Sequence, residues 1–292
     1  MKRNRIRLIQ LVTLLLIILA LLFIKNNLSQ FLPKKPDQPF STLKKEQIRQ
    51  ILLTKDKTTF LYKKDKVWYV KKGSQEFRAD TERINNIIDS FVSLSKNEVI
   101  SSNKKKHKSL GIDKQKIEIK TNGKTYAIYI GSITGLSKNY IRIGDDNEVF
   151  IVEGFAEVFT SEDYRDLIVH LINDETKVTL IEINFEDNKT ILTKRGNDWK
   201  IGDKTAKKDR VDFFLNDLKT LKANDILPKD TILAQVISGQ IAVNENANKK
   251  SIMIYSKDED NYLTKTSESE FVFQIPAAYV ASLKKEEKDF VE

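Results

Sequence analysis

The alternation of apolar and polar positions in this chain repeats itself about 131 positions along. Residues 59–70 alternate in a way that predicts two strands joined by a tight turn. Residues 190–201 carry the same hairpin pattern, and each copy holds one of the two tryptophans, Trp68 and Trp199. The repetition predicts two related units in tandem.

Each hairpin is followed by apolar residues spaced by three and four positions. Such a one-sided stripe predicts an amphipathic helix that packs on the sheet, and the first one lies between about Asp80 and Ser95. The stripe positions, five in each copy, are Ile84, Ile87, Ile88, Phe91 and Leu94, and then Val211, Phe214, Leu215, Leu218 and Leu221.

The rest of the first copy has the pattern of an antiparallel meander. An opening strand is predicted around Ile48, and Asn122-Gly123 lies between two alternating segments, which is the strongest short-range signal of a hairpin. Another hairpin is predicted around the polar turn at 144–147. The second copy follows the same order with losses, since it has no obvious counterpart of residues 110–113.

Several positions have patterns typical of structural roles. Ser161 followed by two acids predicts a helix start, and the apolar run 167–172 predicts a helix packed on a sheet. Pro276 predicts the start of a terminal helix. The tryptophans could be binding platforms, but their equivalent positions on the third strand of each copy favour the core. Structural roles are assigned to Trp68, Trp199, Gly111 and Gly123.

The N-terminal segment has the pattern of a membrane anchor. Basic residues precede an almost purely apolar run over residues 8–24, near the short limit for a membrane span of roughly 17 residues. A cleaved signal peptide is the alternative, but no small-x-small site follows Ile24. Three prolines at a spacing of three in residues 25–40 predict a semi-rigid polyproline stalk.

Together these patterns predict an α+β fold with an N-terminal transmembrane helix followed by two tandem related units. Each unit is expected to be an antiparallel meander and hairpin sheet with packed helices. The expected location is the cell membrane, crossed once, with most of the chain outside the cytoplasm. The predicted boundaries are a cytoplasmic N-terminus at 1–7, the signal anchor at 8–24, the stalk at 25–40, repeat one at 41–173 and repeat two at 174–292.

The net charge of +9 is unevenly distributed. Repeat one carries an excess of basic residues, whereas repeat two is mildly acidic. The excess predicts either attraction to anionic lipid headgroups or wall polymers, or simply a solvated lysine-rich surface. The candidate interaction residues are Lys63, Lys64, Lys66, Lys71, Lys72, Lys104, Lys105, Lys106 and Lys108.

Candidate chemistry is scarce. The absence of cysteine excludes disulfides, thiol catalysis and cysteine metal sites. His107 and His170 lack a second ligand at zinc-like spacing, and the acidic runs 145–148 and 258–261 have the pattern of hairpin turns rather than calcium loops. No catalytic residue, metal ligand or cofactor is predicted, and nucleic acid is not an expected partner.

The tryptophan hairpin, its helix and the Leu110-Gly111-Ile112-Asp113 segment, followed by strands around Ile128 and Ile141, resemble the bacterial DUF4340 family. This resemblance implies an N-terminal membrane segment and a duplicated extracytoplasmic region. It also implies, for some members, association with gliding-type ABC transporters. It supplies no catalytic residue.

Two functions are therefore expected. The first is a non-enzymatic, membrane-anchored scaffold or interaction protein, accessory to an envelope ABC transport system. The second is a binding module for anionic envelope polymer or lipid headgroups, acting through the basic half of repeat one.

Overall fold

The computed structural model describes residues 37–291, except 97, 136, 156–157, 160–162 and 187, and also four isolated N-terminal positions, 13, 17, 18 and 22. The chain divides into two compact units, Met1–Tyr164 and Arg165–Glu292. Within the described residues each unit contains one sheet of nine strands, and the strands of both sheets pair antiparallel throughout.

The first unit contains one α-helix besides its sheet, within the described part of residues 37–164. Its elements are β1 (Gln50–Thr54), β2 (Thr58–Lys64), β3 (Val67–Lys72), β4 (Gln75–Arg78), α1 (Thr81–Val92), β5 (Val99–Ser101), β6 (Gln115–Lys120), β7 (Thr125–Thr134), β8 (Lys138–Ile143) and β9 (Val149–Glu153). The strand order is β4-β3-β2-β1-β6-β7-β8-β9-β5. The chain thus forms a meander, passes through α1 to the far edge, and returns to pair β6 with β1.

The second unit repeats this path strand for strand. Its elements are β10 (Val178–Phe185), β11 (Asn188–Arg195), β12 (Asp198–Ile201), β13 (Lys204–Ala206), α2 (Lys208–Lys219), β14 (Asp225–Leu227), β15 (Ile237–Glu245), β16 (Asn248–Ser256), β17 (Asn261–Thr266), β18 (Val272–Pro276), α3 (Ala277–Leu283) and α4 (Glu287–Val291). The order β13-β12-β11-β10-β15-β16-β17-β18-β14 matches that of the first sheet position by position. Both described sheets therefore have the same nine strands, and residues 110–113, for which no counterpart was found in the second copy, lie in a connection between strands rather than in a strand.

The core of each unit lies between the predicted helical stripe and one face of the sheet. In α1, Ile84 and Phe91 are fully buried, and the Asp80 carboxylate caps the helix by accepting the Arg83 N–H at 3.1 Å. In α2, Val211 and Leu218 are buried in the same way. Both helix predictions are confirmed.

The predicted fold class is wrong. Antiparallel β-structure dominates the described residues and helices are few, so the fold is mainly β rather than α+β. Short edge strands such as β5 and β14, three residues each, are too short to show an alternation in the sequence. Among the described residues no helix is long and apolar enough to cross a membrane, and the predicted transmembrane helix at 8–24 falls almost wholly outside them. The tandem arrangement of two related units fits the structure.

The helix predicted over residues 167–172 is also absent. This segment is extended: Ile168 forms a bridge to Lys222, and the Val169 N–H donates to the Leu221 carbonyl at 2.9 Å. His170 has a φ of 53°, which no α-helix accommodates. The run is apolar because it covers the chain just after α2, where both Val169 and Leu221 are buried. The helix start predicted at Ser161 lies outside the described residues.

Gly111→Ala should destabilise the protein by about 1–3 kcal/mol. Gly111 has a φ of 71°, and a Cβ there would lie 2.6 Å from Ser132 Oγ. Gly123→Ala is the control, because Gly123 lacks a positive φ and a Cβ at this position would have no neighbouring atom within 4 Å. Urea unfolding of both variants measures the difference. Equal shifts in the two variants would contradict the structural role of Gly111.

Candidate binding surface

The sheet of the first unit buries one face and leaves the other partly exposed. Residues paired directly across antiparallel strands share a face. Ile51, Leu61 and Ile119, which are paired in this way, are completely buried. The other face, here called the open face, carries Leu52 of β1, paired with Phe60 of β2, and its side chains on β1, β2 and β3 are half-buried or exposed.

A group of three rings and a lysine, called the aromatic cluster, occupies β2 and β3 on the open face. The ring of Tyr62 stacks between Phe60, at 5.5 Å, and Tyr69, at 5.8 Å between centroids. Lys71 Nζ lies 6.0 Å from the Phe60 ring and 5.7 Å from the Tyr62 ring, and 3.5 Å from the Glu76 carboxylate. Burial, followed by the neighbouring Glu76 carboxylate, raises the pKa of Tyr62 to about 12. Tyr62 is therefore a neutral ring at any physiological pH.

A second group, called the arginine cluster, lies on β6, β7 and β8. The guanidinium carbon of Arg142 lies 3.8 Å from the centroid of the Tyr129 ring, which places the two planes in stacking contact. Lys116 Nζ lies 5.3 Å from the same ring and 3.0 Å from Glu118. One Arg142 Nη donates to the Gly144 carbonyl, whereas its Nε is enclosed and has no hydrogen-bond partner within the described part of the chain. The guanidinium is thus fixed in orientation, and its Nη groups rather than the enclosed Nε are the donors that a ligand can reach.

The two clusters lie on one continuous cationic face. β2 and β7 are three strand positions apart, which corresponds to about 14 Å, and Leu52 lies on β1 between them. The register places seven described bases and three described acids on this face, and each acid lies within 4 Å of a lysine. The bases are Lys64, Lys71, Arg78, Lys116, Lys120, Lys138 and Arg142, and the acids are Glu76, Glu118 and Glu153.

The second sheet offers a direct comparison because its register matches. Residues at the positions of the two clusters there are aliphatic or polar, without a ring at any of the equivalent described positions. Ile191 replaces Phe60, Thr193 replaces Tyr62, Lys200 replaces Tyr69, Met253 replaces Tyr129 and Lys265 replaces Arg142. The two clusters therefore have no counterpart among the described residues of the second sheet, although its equivalent face also carries lysines and the ring of Tyr255.

The nine lysines predicted as an interaction surface are not brought together. Lys63, Lys64 and Lys66 lie at the β2–β3 turn, and Lys71 and Lys72 lie at the other end of β3. The remaining four, Lys104, Lys105, Lys106 and Lys108, lie between β5 and β6.

His107 fixes the position of that lysine run. Its side chain is buried and its Nε2 lies 3.0 Å from the carbonyl oxygen of Asn147, in the β8–β9 turn. This turn adjoins β8, four strand positions from β2, or about 19 Å. Of the nine predicted lysines, the register places Lys64 and Lys71 on the open face. His107 has a structural contact rather than a ligand geometry.

The sequence patterns did not single out the rings or Arg142. The signal that could have found them is the spacing of Phe60 and Tyr62 by two, which places both rings on the face opposite the buried Leu61. Tyr129 on β7 and Arg142 on β8 carry no local signal in the sequence. They share the open face with Phe60 and Tyr62 only because β1 pairs with β6 and β6 pairs with β7.

The remaining candidate residues have structural surroundings. Trp68 and Trp199 are each 3% exposed, and a lysine lies over each ring, Lys63 at 5.7 Å and Lys194 at 5.9 Å. His170 Nε2 lies 2.5 Å from Asp166 Oδ2.

The acidic runs lie in turns. Residues 145–148 lie in the β8–β9 turn, where the Glu148 N–H donates to Asp146 at 3.2 Å. Residues 258–261 lie at the β16–β17 turn, where the Asp260 N–H donates to Asp258 at 3.0 Å. Within the described ranges no group of three or more His, Cys, Asp or Glu side chains could hold a metal ion.

Comparison with known families gives one match. The family model described as a domain of unknown function (DUF4340) matches residues 68–236, more than half of the chain. This match confirms the resemblance seen in the sequence. No curated protein and no solved structure matches the chain.

Proposed function

The chain belongs to the DUF4340 family, and on this premise we propose that it is a non-enzymatic interaction protein of the bacterial cell envelope that binds anionic material through the open face of its first sheet. The observation that supports this most is the confinement of both clusters to one of two sheets with matching topology. A shared scaffold explains the common core, but it does not explain why the open face of the first sheet carries cations packed on rings, whereas the equivalent described positions of the second sheet do not.

The arrangement suits anion binding because the cations are already ordered. A free lysine or arginine loses side-chain freedom when it pairs with a ligand, at a cost of about 0.5–1.5 kcal/mol. Arg142 is stacked on Tyr129, and Lys71 lies over two rings, so part of this cost is met in the folded protein. The lysines at 104–106 are exposed and have no comparable ring contact among the described residues. We therefore place the binding surface on the open face rather than on the lysine run.

A pair of triple variants tests this placement. Lys71→Gln, Lys116→Gln and Arg142→Gln together should weaken binding of the full-length protein to dextran sulfate by about 100-fold, at about 1 kcal/mol per cation. Lys104→Gln, Lys105→Gln and Lys106→Gln remove the same charge and should cause a clearly smaller loss. Binding measured by fluorescence anisotropy at several salt concentrations distinguishes the two. Equal losses would mean that net charge alone governs binding, and would contradict the proposed surface.

The partner and the location remain proposals that rest on the family resemblance and on the sequence of the N-terminal segment. We propose that the protein acts as a scaffold beside an envelope ABC transporter and is attached to the cell membrane through its N-terminal segment. Mild crosslinking of intact cells followed by purification should recover ABC subunits, and recovery of none would count against this partner. Membrane fractionation with protease treatment of intact cells tests the location: a protein found in the soluble fraction would contradict it.

A further inference from the structure

We infer that the ligand of the open face is a linear anionic polysaccharide that runs across the strands from the aromatic cluster to the arginine cluster. This inference rests on the proposed function and adds the chemical class of the ligand. It is drawn from the separation of the clusters and from their different chemistry.

The separation favours an extended ligand. About 14 Å lies between β2 and β7, and about 24 Å between β3 and β8, so one headgroup or one monosaccharide can reach a single cluster only. Leu52 and the paired Lys116 and Glu118 fill the interval, and Glu118 is neutralised by its lysine at 3.0 Å. A polysaccharide with repeated sugar rings and repeated negative charges matches a protein surface on which aromatic rings and cations recur over this length.

The aromatic cluster suits a sugar ring. Phe60, Tyr62 and Tyr69 stack on one another at tilts of 20° and 26°, with centroids 5.5 Å and 5.8 Å apart, so they form one compact aromatic group. A pyranose presents C–H groups on its faces and hydroxyls around its rim, so it can bury a face against such a group while its rim stays hydrated. Lys71, which lies over two of these rings, is placed to meet a negative group on the same sugar.

The arginine cluster suits a carboxylate or another planar oxyanion. A guanidinium binds such groups through two parallel N–H donors, and the geometry must be fixed for this to be specific. Stacking on Tyr129 and the bond to the Gly144 carbonyl fix the plane of Arg142. Its Nε is enclosed, so the Nη groups are the donors that can meet a ligand. Lys116, 5.3 Å from the same ring, is paired with Glu118, so Arg142 is the cation of this cluster that has no acidic partner among the described residues.

A bilayer surface fits less well. Rings that insert into lipid project as wedges, whereas these rings are half-buried and packed against one another on a sheet. Single-stranded nucleic acid shares stacking and negative charge with an anionic glycan, so it is tested directly.

Four probes separate the ligand classes on the full-length protein: polygalacturonate, neutral dextran, polyglutamate and a single-stranded oligonucleotide. The expected order is polygalacturonate tightest, with polyglutamate and the oligonucleotide at least about tenfold weaker and dextran weakest. Equal binding of polyglutamate would overturn the polysaccharide class while leaving an anion-binding surface in place. Tighter binding of the oligonucleotide would also overturn it. Failure to bind any polyanion would overturn the proposed function as well.

Matched variants locate the contact. Phe60→Leu keeps an apolar side chain but removes one ring of the aromatic cluster, and should weaken polygalacturonate binding about tenfold, as truncation of an aromatic contact commonly does. Its counterpart Ile191→Leu in the second sheet should leave binding unchanged. Arg142→Gln should have a similar effect, with Lys265→Gln as its control. Thermal unfolding confirms that each variant is folded. Equal effects of Phe60→Leu and Ile191→Leu would overturn the assignment.

Discussion

Trp68→Ala is expected to lower the free energy of unfolding by about 3–5 kcal/mol, the range found when a buried tryptophan or phenylalanine is truncated. Trp68 is 3% exposed and lies on the buried face of the first sheet, on the same strand as the buried Val70. The cavity left by the indole could not collapse easily, because strand pairing holds β3 between β2 and β4. Urea unfolding followed by circular dichroism measures the loss.

Two controls make this prediction specific. Trp199→Ala should cost a similar amount, since Trp199 is also 3% exposed and is held by the same strand pairing in the second unit. Tyr69→Ala, next to Trp68 but on the open face, should cost only about 1 kcal/mol, the scale of a cross-strand contact. If Tyr69→Ala were as costly as Trp68→Ala, the assignment of the two faces would be wrong.

Lys250→Met should destabilise the second unit by about 3–5 kcal/mol, because it leaves a buried carboxylate without its cation. Lys250 Nζ lies 2.6 Å from Glu245 Oε2, and the two side chains are only 9% and 4% exposed. Glu245 also accepts the backbone N–H groups of Asp174, at 2.6 Å, and Asn173, at 3.2 Å. The pair therefore anchors residues 173–174, just before β10.

The double variant Lys250→Met with Glu245→Gln is the control. Glutamine is neutral and retains a side-chain carbonyl that can accept the N–H of Asp174, so the double variant should be more stable than Lys250→Met alone. Urea unfolding of the parent and the two variants forms the comparison. A double variant less stable than the single one would show that the unpaired charge is not the cause of the loss.

The same pair predicts a dependence on pH. Burial would raise the pKa of Glu245, but hydrogen bonds from Lys250 and the backbone hold it below its ordinary value of 4.5. A carboxyl with a depressed folded-state pKa stabilises the fold above its unfolded pKa, and this contribution is lost as pH falls through the folded pKa. In Lys250→Met protonation of Glu245 instead relieves the unpaired charge. The difference in the free energy of unfolding between the parent protein and Lys250→Met should therefore narrow as pH falls below about 4. A difference that does not change with pH would contradict the role given to the unpaired Glu245 carboxylate.

Elements with a strong local periodicity could be predicted from the sequence, whereas short strands and the pairing of distant segments could not. The hairpin around Trp68 and the stripe from Ile84 to Phe91 are visible because one element repeats its pattern several times. β5 and β14 are only three residues long, so they show no period, and the β content was underestimated. The helix predicted over residues 167–172 was wrong for a different reason. The apolar residues of this run satisfy a helical pattern, but a bridge from Ile168 to Lys222 holds the segment extended.

The candidate surface was harder to predict than the fold. A lysine run such as 104–106 is conspicuous in sequence, whereas the structure places it on a segment beside one turn. Phe60 and Arg142 share a face only because β1 pairs with both β2 and β6, and β7 then pairs with β8. That juxtaposition depends on the order of strands in the sheet, which local periodicity does not encode.

Hydroxyl-radical footprinting of the full-length protein, with and without dextran sulfate, tests the central claim most directly. Side-chain labelling read by mass spectrometry should fall at Phe60, Tyr62, Tyr69 and Tyr129 when the polyanion is bound. Labelling at Met253 and Tyr262 in the second sheet should stay unchanged. Unchanged labelling at the four rings of the open face despite binding, or equal protection of both sheets, would contradict the claim that the open face of the first sheet is the binding surface.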